Sequence, residues 1–262
     1  MPSEFHGKIV VISGGSRGIG RAIAMDFARE GAQCVLAASS AANLEQAAKA
    51  VAGAGGVAPE TVAADLRTLA GCEQVFAAVN GRHKRCDILV NGAGATRAGD
   101  FLKIPDDAWL DGFALKFFGA VRLSRLFWPL LTAAHGHVVN IIGGAARTVE
   151  PEFMLGGSVN SALANFNKGL SRRGMQDGVN VNAIHPGMTA TERTLTLLRQ
   201  RAEASGRSVE EVRAETIAKS GVQRIAEPED IAALTLFLCS ERARHIQGTA
   251  TAVDGGATPG LY

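Results

Sequence analysis

The amino-acid sequence predicts an α/β protein with a single-domain doubly wound parallel sheet. Short β-branched runs alternate with stretches whose apolar residues recur at helical spacing. The strand-like runs lack the polar alternation of a half-exposed sheet, as strands covered by helices on both faces must. No Pro/Gly/Ser-rich linker divides the 262 residues, a length that suits one large α/β unit.

Taken in order, KIVVIS (8–13) is a strand that runs at once into glycines and then into GRAIAMDFAREGA (20–32), a helix by its apolar spacing. QCVLAA (33–38) precedes the alanine-rich helix NLEQAAKAVAGAG (43–55), VAPETVAAD (57–65) precedes GCEQVFAAVNGR (71–82), and CDILVNGAG (86–94) precedes a long helix around Trp109 to Leu131. GHVVNII (136–142), a helix from about Met154 to Met175, VNVNAI (179–184), further helices and ATAVDGG (250–256) complete the alternation. The polar stretch RQRAEASGRSVEEVRAE (199–215) reads as part of a helical flap at about 190–218, a position from which such insertions shape substrate pockets.

Composition narrows the function. With 47% hydrophobic and 20% charged residues the chain buries a full core, and its net charge of +2 is spread without a basic block. Neither a nucleic-acid nor a membrane partner is expected. No apolar run reaches the roughly 20 residues of a membrane span, and MPSEFHGK lacks an apolar segment after a basic start, so the expected location is cytoplasmic. Cys34, Cys72, Cys86 and Cys239 stand singly, as small buried hydrophobes do, and no metal site is expected.

SGGSRGIG (13–20) lies between a predicted strand and a predicted helix, the context a dinucleotide site of the Rossmann type requires. Gly14 supplies the tight turn, Gly18 lets backbone approach a pyrophosphate, and Gly20 permits close helix packing, with Ser16, Arg17 and Ile19 completing the loop. The spacing G-x-x-x-G-x-G resembles the short-chain dehydrogenase/reductase family. Further matches are Asp65 and Leu66 in AADL, which the resemblance places on adenine; Asn91, Gly92, Ala93 and Gly94 in NGAG, similar to the family's N-N-A-G; and Pro186, Gly187, Thr189 and Thr191 in VNAIHPGMTATE, the segment that covers nicotinamide. GVQRIAEPEDIAALTLFLCSE and QGTATAVDGG extend the likeness toward the C-terminus.

An NAD site usually carries a carboxylate at the end of the second strand. Here Ala38 stands there, followed by Ser39 and Ser40, while Arg17 offers charge-assisted bonds to a 2′-phosphate. NADP is therefore favoured, with NAD still admitted.

The resemblance also implies a Ser, Tyr, Lys and Asn set for hydride chemistry, and these positions fall on Gly143, Gly156, Asn160 and Lys116. All four are substituted, and the chain's one tyrosine is Tyr262. Lys116 and Asn160 look like a reciprocal exchange between facing helices: Lys116 either sits desolvated near Asn160 as acid, base or oxyanion stabiliser, or reaches to solvent. Arg147, Glu150, Glu152 and His185 are further polar candidates, and Trp109, Phe153, Met154 and Leu155 read as pocket or core.

Two readings follow. One is an NADP-dependent oxidoreductase acting on a small apolar carbonyl or alkene through a non-standard site. The other is a protein that keeps the pocket for non-redox lyase, isomerase or hydrolase work, or for nucleotide sensing. The family resemblance implies a homodimer or homotetramer through the helices around 107–131 and 154–175, which carry extra apolar residues at Phe117, Phe118, Val121, Leu163 and Phe166.

Overall fold

A computed structural model describes residues 3–259; Tyr262 lies outside the described residues. The strands β1 (Ile9–Ser13), β2 (Gln33–Ala38), β3 (Glu60–Ala63), β4 (Ile88–Asn91), β5 (His137–Ile141), β6 (Asn180–Pro186) and β7 (Ala250–Val253) form one sheet in the order β3-β2-β1-β4-β5-β6-β7. Every pairing is parallel. The strand order reverses between β1 and β4, which opens a crevice at their C-terminal ends.

The helices are α1 (Gly18–Arg29), α2 (Ala41–Gly53), α3 (Leu69–His83), α4 (Asp106–Gly112), α5 (Gly119–Ala133), α6 (Met154–Asp177), α7 (Glu192–Ser205), α8 (Val209–Ser220) and α9 (Pro228–Leu238). Successive strand residues point to opposite faces, so the central strands feed two cores, whereas the edge strands β3 and β7 are only partly buried. Val10 and Ile12 of β1 join Phe27, Leu36, Val90 and Ile231 on one side, whereas Ile9 and Val11 join Val35, Leu89, Phe127 and Leu131 on the other. This double burial is why the strands read as continuous apolar runs.

The long helix expected around Trp109 to Leu131 departs from a regular α-helix. Between α4 and α5 the segment Phe113–Phe118 is π-helical, flanked by Gly112 and Gly119. A π-turn inserts a residue without ending the helix, so periodicity alone does not reveal it. Leu163, expected among the surplus apolar residues, belongs to the core: it is 1% exposed and packs with Ala120, Ile142 and Ala183. All four cysteines are free and buried. Burial pushes the Cys34 thiol up to about 12 and the Cys72 thiol to about 11, leaving both inert as nucleophiles. Among the described residues no helix is long and apolar enough to cross a membrane.

Candidate active site

At the crevice the loop after β1 packs directly on the loop after β4. Gly14 has φ +74°, and a Cβ built on it would stand 2.9 Å from the backbone of Ala93. Only glycine allows that approach. The Ser13 hydroxyl accepts from the backbone N–H groups of Gly92 (3.1 Å) and Ala93 (3.3 Å), pinning the two loops together. Gly20 closes the turn against Gly14, where an added Cβ would lie 2.3 Å from the Gly14 carbonyl oxygen. With Gly18 opening α1, backbone amides and helix dipole converge on one anion position, and a dinucleotide pyrophosphate fits this cradle.

The remaining residues expected at the cofactor lie on the segments that follow β1, β2, β3, β4 and β6, and differ in availability. Arg17 is exposed at the start of α1, and Ser16 and Ile19 are half-buried beside it. Ser39 is exposed after β2; the Ser40 hydroxyl caps α2 by accepting from the Asn43 N–H at 3.3 Å. Asp65 follows β3 with its carboxylate held by the Arg67 side chain at 3.0 Å, and Leu66 is buried. The Asn91 side chain turns into the protein, donating to Asn140 (2.9 Å) and Ser124 (3.2 Å), so its backbone is what faces the crevice. Gly187, after Pro186, lies against Asp254. Thr189 is buried with its hydroxyl on the Gly187 carbonyl, and Thr191 caps α7 with its methyl against Gly18.

At the end of β5 and the start of α6 three residues interlock. The Asn160 carbonyl oxygen accepts from the Gly143 N–H at 2.6 Å, and its amide donates to the Gly156 carbonyl at 2.7 Å. Asn160 is 3% exposed, so its amide is a brace between β5 and α6 with both polar atoms committed to backbone. Above Gly156 lies the ring of Phe153: a Cβ at 156 would fall 2.1 Å from its Cζ. Phe153 thus occupies the space in which any side chain at 156 would begin.

Lys116 projects from the π-turn. Its stem covers Gly94, whose built Cβ would meet the Lys116 Cδ at 2.8 Å, and the side chain is half-buried. Burial, followed by the charge of Arg193, pushes the Lys116 ammonium down to about 8. The π-turn packs on α6 through Phe117 and Phe166, whose rings meet edge-to-face at 6.2 Å. His185, 2% exposed at the end of β6, has Nδ1 3.4 Å from the Gly143 carbonyl; its pKa is lowered first by burial and then by Arg147, with Lys116 contributing. Arg147 itself turns to the Ala250 carbonyl at 2.8 Å. Leu155 is core, while Trp109 packs edge-to-face on Phe101 at 6.4 Å. The Glu152 carbonyl accepts from the Gly99 N–H at 2.8 Å, joining the loops after β4 and β5.

This geometry has relatives. A family model described as enoyl-(acyl carrier protein) reductase matches residues 14–258. The chain belongs to the short-chain dehydrogenase/reductase family. It is 30% identical over 259 residues to the 3-oxoacyl-(acyl-carrier-protein) reductase of Escherichia coli, covering 97% of this chain and 98% of that protein. The crystal structure of L-sorbose reductase from Gluconobacter frateurii, complexed with NADPH and L-sorbose, superposes with a TM-score of 0.95 over 100% of both chains at 32% identity.

One residue of the site, Arg193, and one contact, that of Phe153 with Gly156, are not expected from the sequence, although Phe153 itself reads as pocket or core. Arg193 carries a sequence signal: a basic residue in the first turn of a predicted helix opposes the helix dipole. Phe153 lying on Gly156 carries none, because a contact between residues three apart at a helix start depends on backbone geometry.

Proposed function

We propose that this chain is an NADP(H)-dependent oxidoreductase that reduces or oxidises a small, largely apolar carbonyl or alkene compound through a non-standard site. NADP is preferred over NAD because no carboxylate stands at positions 38–40 and Arg17 is free to meet a 2′-phosphate. When bound, the cofactor supplies or accepts a hydride. The observation that carries the reading is Lys116 over Gly94, with its ammonium pushed down to about 8. Protonated at neutral pH, it is acidic enough to give its proton to a carbonyl oxygen as that oxygen gains charge, and water returns the proton afterwards. Gly143 and Gly156 offer no side-chain acid, and Asn160 is held by backbone.

The test is NADPH oxidation over a panel of ketones, aldehydes, quinones and oxo acids. Lys116→Ala should lower kcat by about 10²–10⁴-fold, the worth of general acid catalysis, while leaving cofactor affinity within a few-fold. Robust turnover that ignores this substitution would remove Lys116 from the reaction. Phe153 on Gly156 favours a second reading, in which the same crevice serves non-redox chemistry or nucleotide sensing, because it leaves no room for an aromatic acid at 156. Cofactor binding without oxidation of NADPH by any member of the panel would select that reading.

A further inference from the structure

We propose that Arg193 holds an anionic group of the substrate, of the carboxylate class, next to Lys116, so that the reacting compound is an amphipathic oxo acid rather than a neutral carbonyl. This rests on the oxidoreductase reading for its reaction but not for its binding site. Arg193 lies in the first turn of α7 and crosses the crevice to donate from one terminal nitrogen to the Thr96 carbonyl at 2.6 Å. Two residues before Thr96 is Gly94, the residue covered by the Lys116 stem. Both cations therefore border the same short loop, on the side of the crevice where Lys116 is placed to act.

Neither charge is neutralised. Among the described residues no carboxylate comes within 4.0 Å of the Lys116 or Arg193 nitrogens, and the neighbouring Glu192 is taken by Arg21 at 3.1 Å. Arg193 also stands at the positive end of a helix, where a cation is disfavoured. Arg193 is exposed, so water screens its charge in the free protein; a carboxylate that replaces this water meets two cations and a helix N-terminus at once. Of the guanidinium donors only one is engaged, which leaves N–H groups for a forked pair with a carboxylate. Phe101 and Met188, 52% and 41% exposed, belong to the two segments that the Arg193–Thr96 bond joins, the loop after β4 and the approach to α7.

A cofactor pyrophosphate is the rival occupant, since Thr191 touches Gly18. Phenylglyoxylate and its neutral amide separate the two when titrated calorimetrically into protein saturated with NADP⁺, a form that cannot reduce either. The acid should bind about tenfold more tightly than the amide, the difference between a charge-assisted and an ordinary hydrogen bond. Arg193→Gln should abolish that preference and leave NADP⁺ affinity unchanged, and Arg193→Lys should retain part of it. Equal affinity for acid and amide, or no binding of the acid at millimolar concentration, overturns the proposal. So does an Arg193→Gln variant that loses NADP⁺ and acid alike, which would assign the guanidinium to the cofactor. An acid preference that depends on Arg193, without oxidation of NADPH in the presence of the acid, would uphold this site while removing the redox reading.

Discussion

At Gly156 the identity of a residue is set by a neighbour's ring. The built Cβ lies 2.1 Å from Phe153 Cζ, so Gly156→Ala should destabilise the protein by about 1–3 kcal/mol through overpacking. Truncation at 153 should relieve that cost, and a double-mutant cycle of Gly156→Ala with Phe153→Ala, followed by urea unfolding, should show strong coupling; additive effects would place the ring elsewhere. Lys116 carries a second expectation. An acid at about 8 must be protonated to act, so the reductive rate should be full below that value and fall as pH rises through it. Loss of the descending limb in Lys116→Ala, measured on kcat, is the expected sign. The identities of both residues were legible from the sequence, but their surroundings were not, because the tilt of Phe153 and the reach of Lys116 depend on a turn geometry that periodicity does not encode.

Elements position these side chains. The π-turn Phe113–Phe118 places Lys116 over Gly94, and α6 is tied to β5 by the Asn160 amide. Asn160→Ala would leave the half-buried Gly143 N–H without its acceptor and a gap between β5 and α6, while the Gly156 carbonyl keeps its helix bond, and should cost about 1–3 kcal/mol in unfolding experiments. An Asn160→Ala protein of unchanged stability but no activity would instead give the amide a chemical role. The alternation of strands and helices was readable because the central strands β1, β2, β4, β5 and β6 are buried on both faces, while the edge strands β3 and β7 stay partly exposed. The π-turn was not, since it preserves an apolar helix-like pattern while adding a residue to the turn. α7 and α8 form two helices within the stretch read as a flap, yet the crossing of Arg193 to Thr96 is a contact 97 residues apart in sequence that no local pattern reports.

For the whole molecule, acid is the sensitive direction. His137 opens β5 with 5% exposure, its Nδ1 has no partner among the described residues, and burial followed by Arg244 lowers its pKa from 6.5 to about 4. Lys8 also lowers it, while Glu241 and the Leu238 carbonyl oppose the shift. The unfolded chain therefore takes up this proton first, so the stability tied to a neutral His137 is complete above pH 6.5 and is lost as pH falls toward 4, by at most about 3 kcal/mol. Urea midpoints at pH 8 and pH 5 should differ by more in the native chain than in His137→Gln; equal differences would discount the histidine. Assembly is a separate expectation. Phe118 is 45% exposed beneath Arg122, and we expect this face of α5 to lie in a homodimer or homotetramer, which light scattering at micromolar concentration checks. The interlock of Gly143, Phe153, Gly156 and Asn160 also couples the residues allowed at these positions. A serine at 143 meets the Asn160 amide at 3.1 Å, and a tyrosine at 156 meets the Phe153 ring. A side chain at 156 has to swing the Phe153 ring aside and one at 143 has to shift the Asn160 amide, so substitutions within this group of four should not act independently of one another.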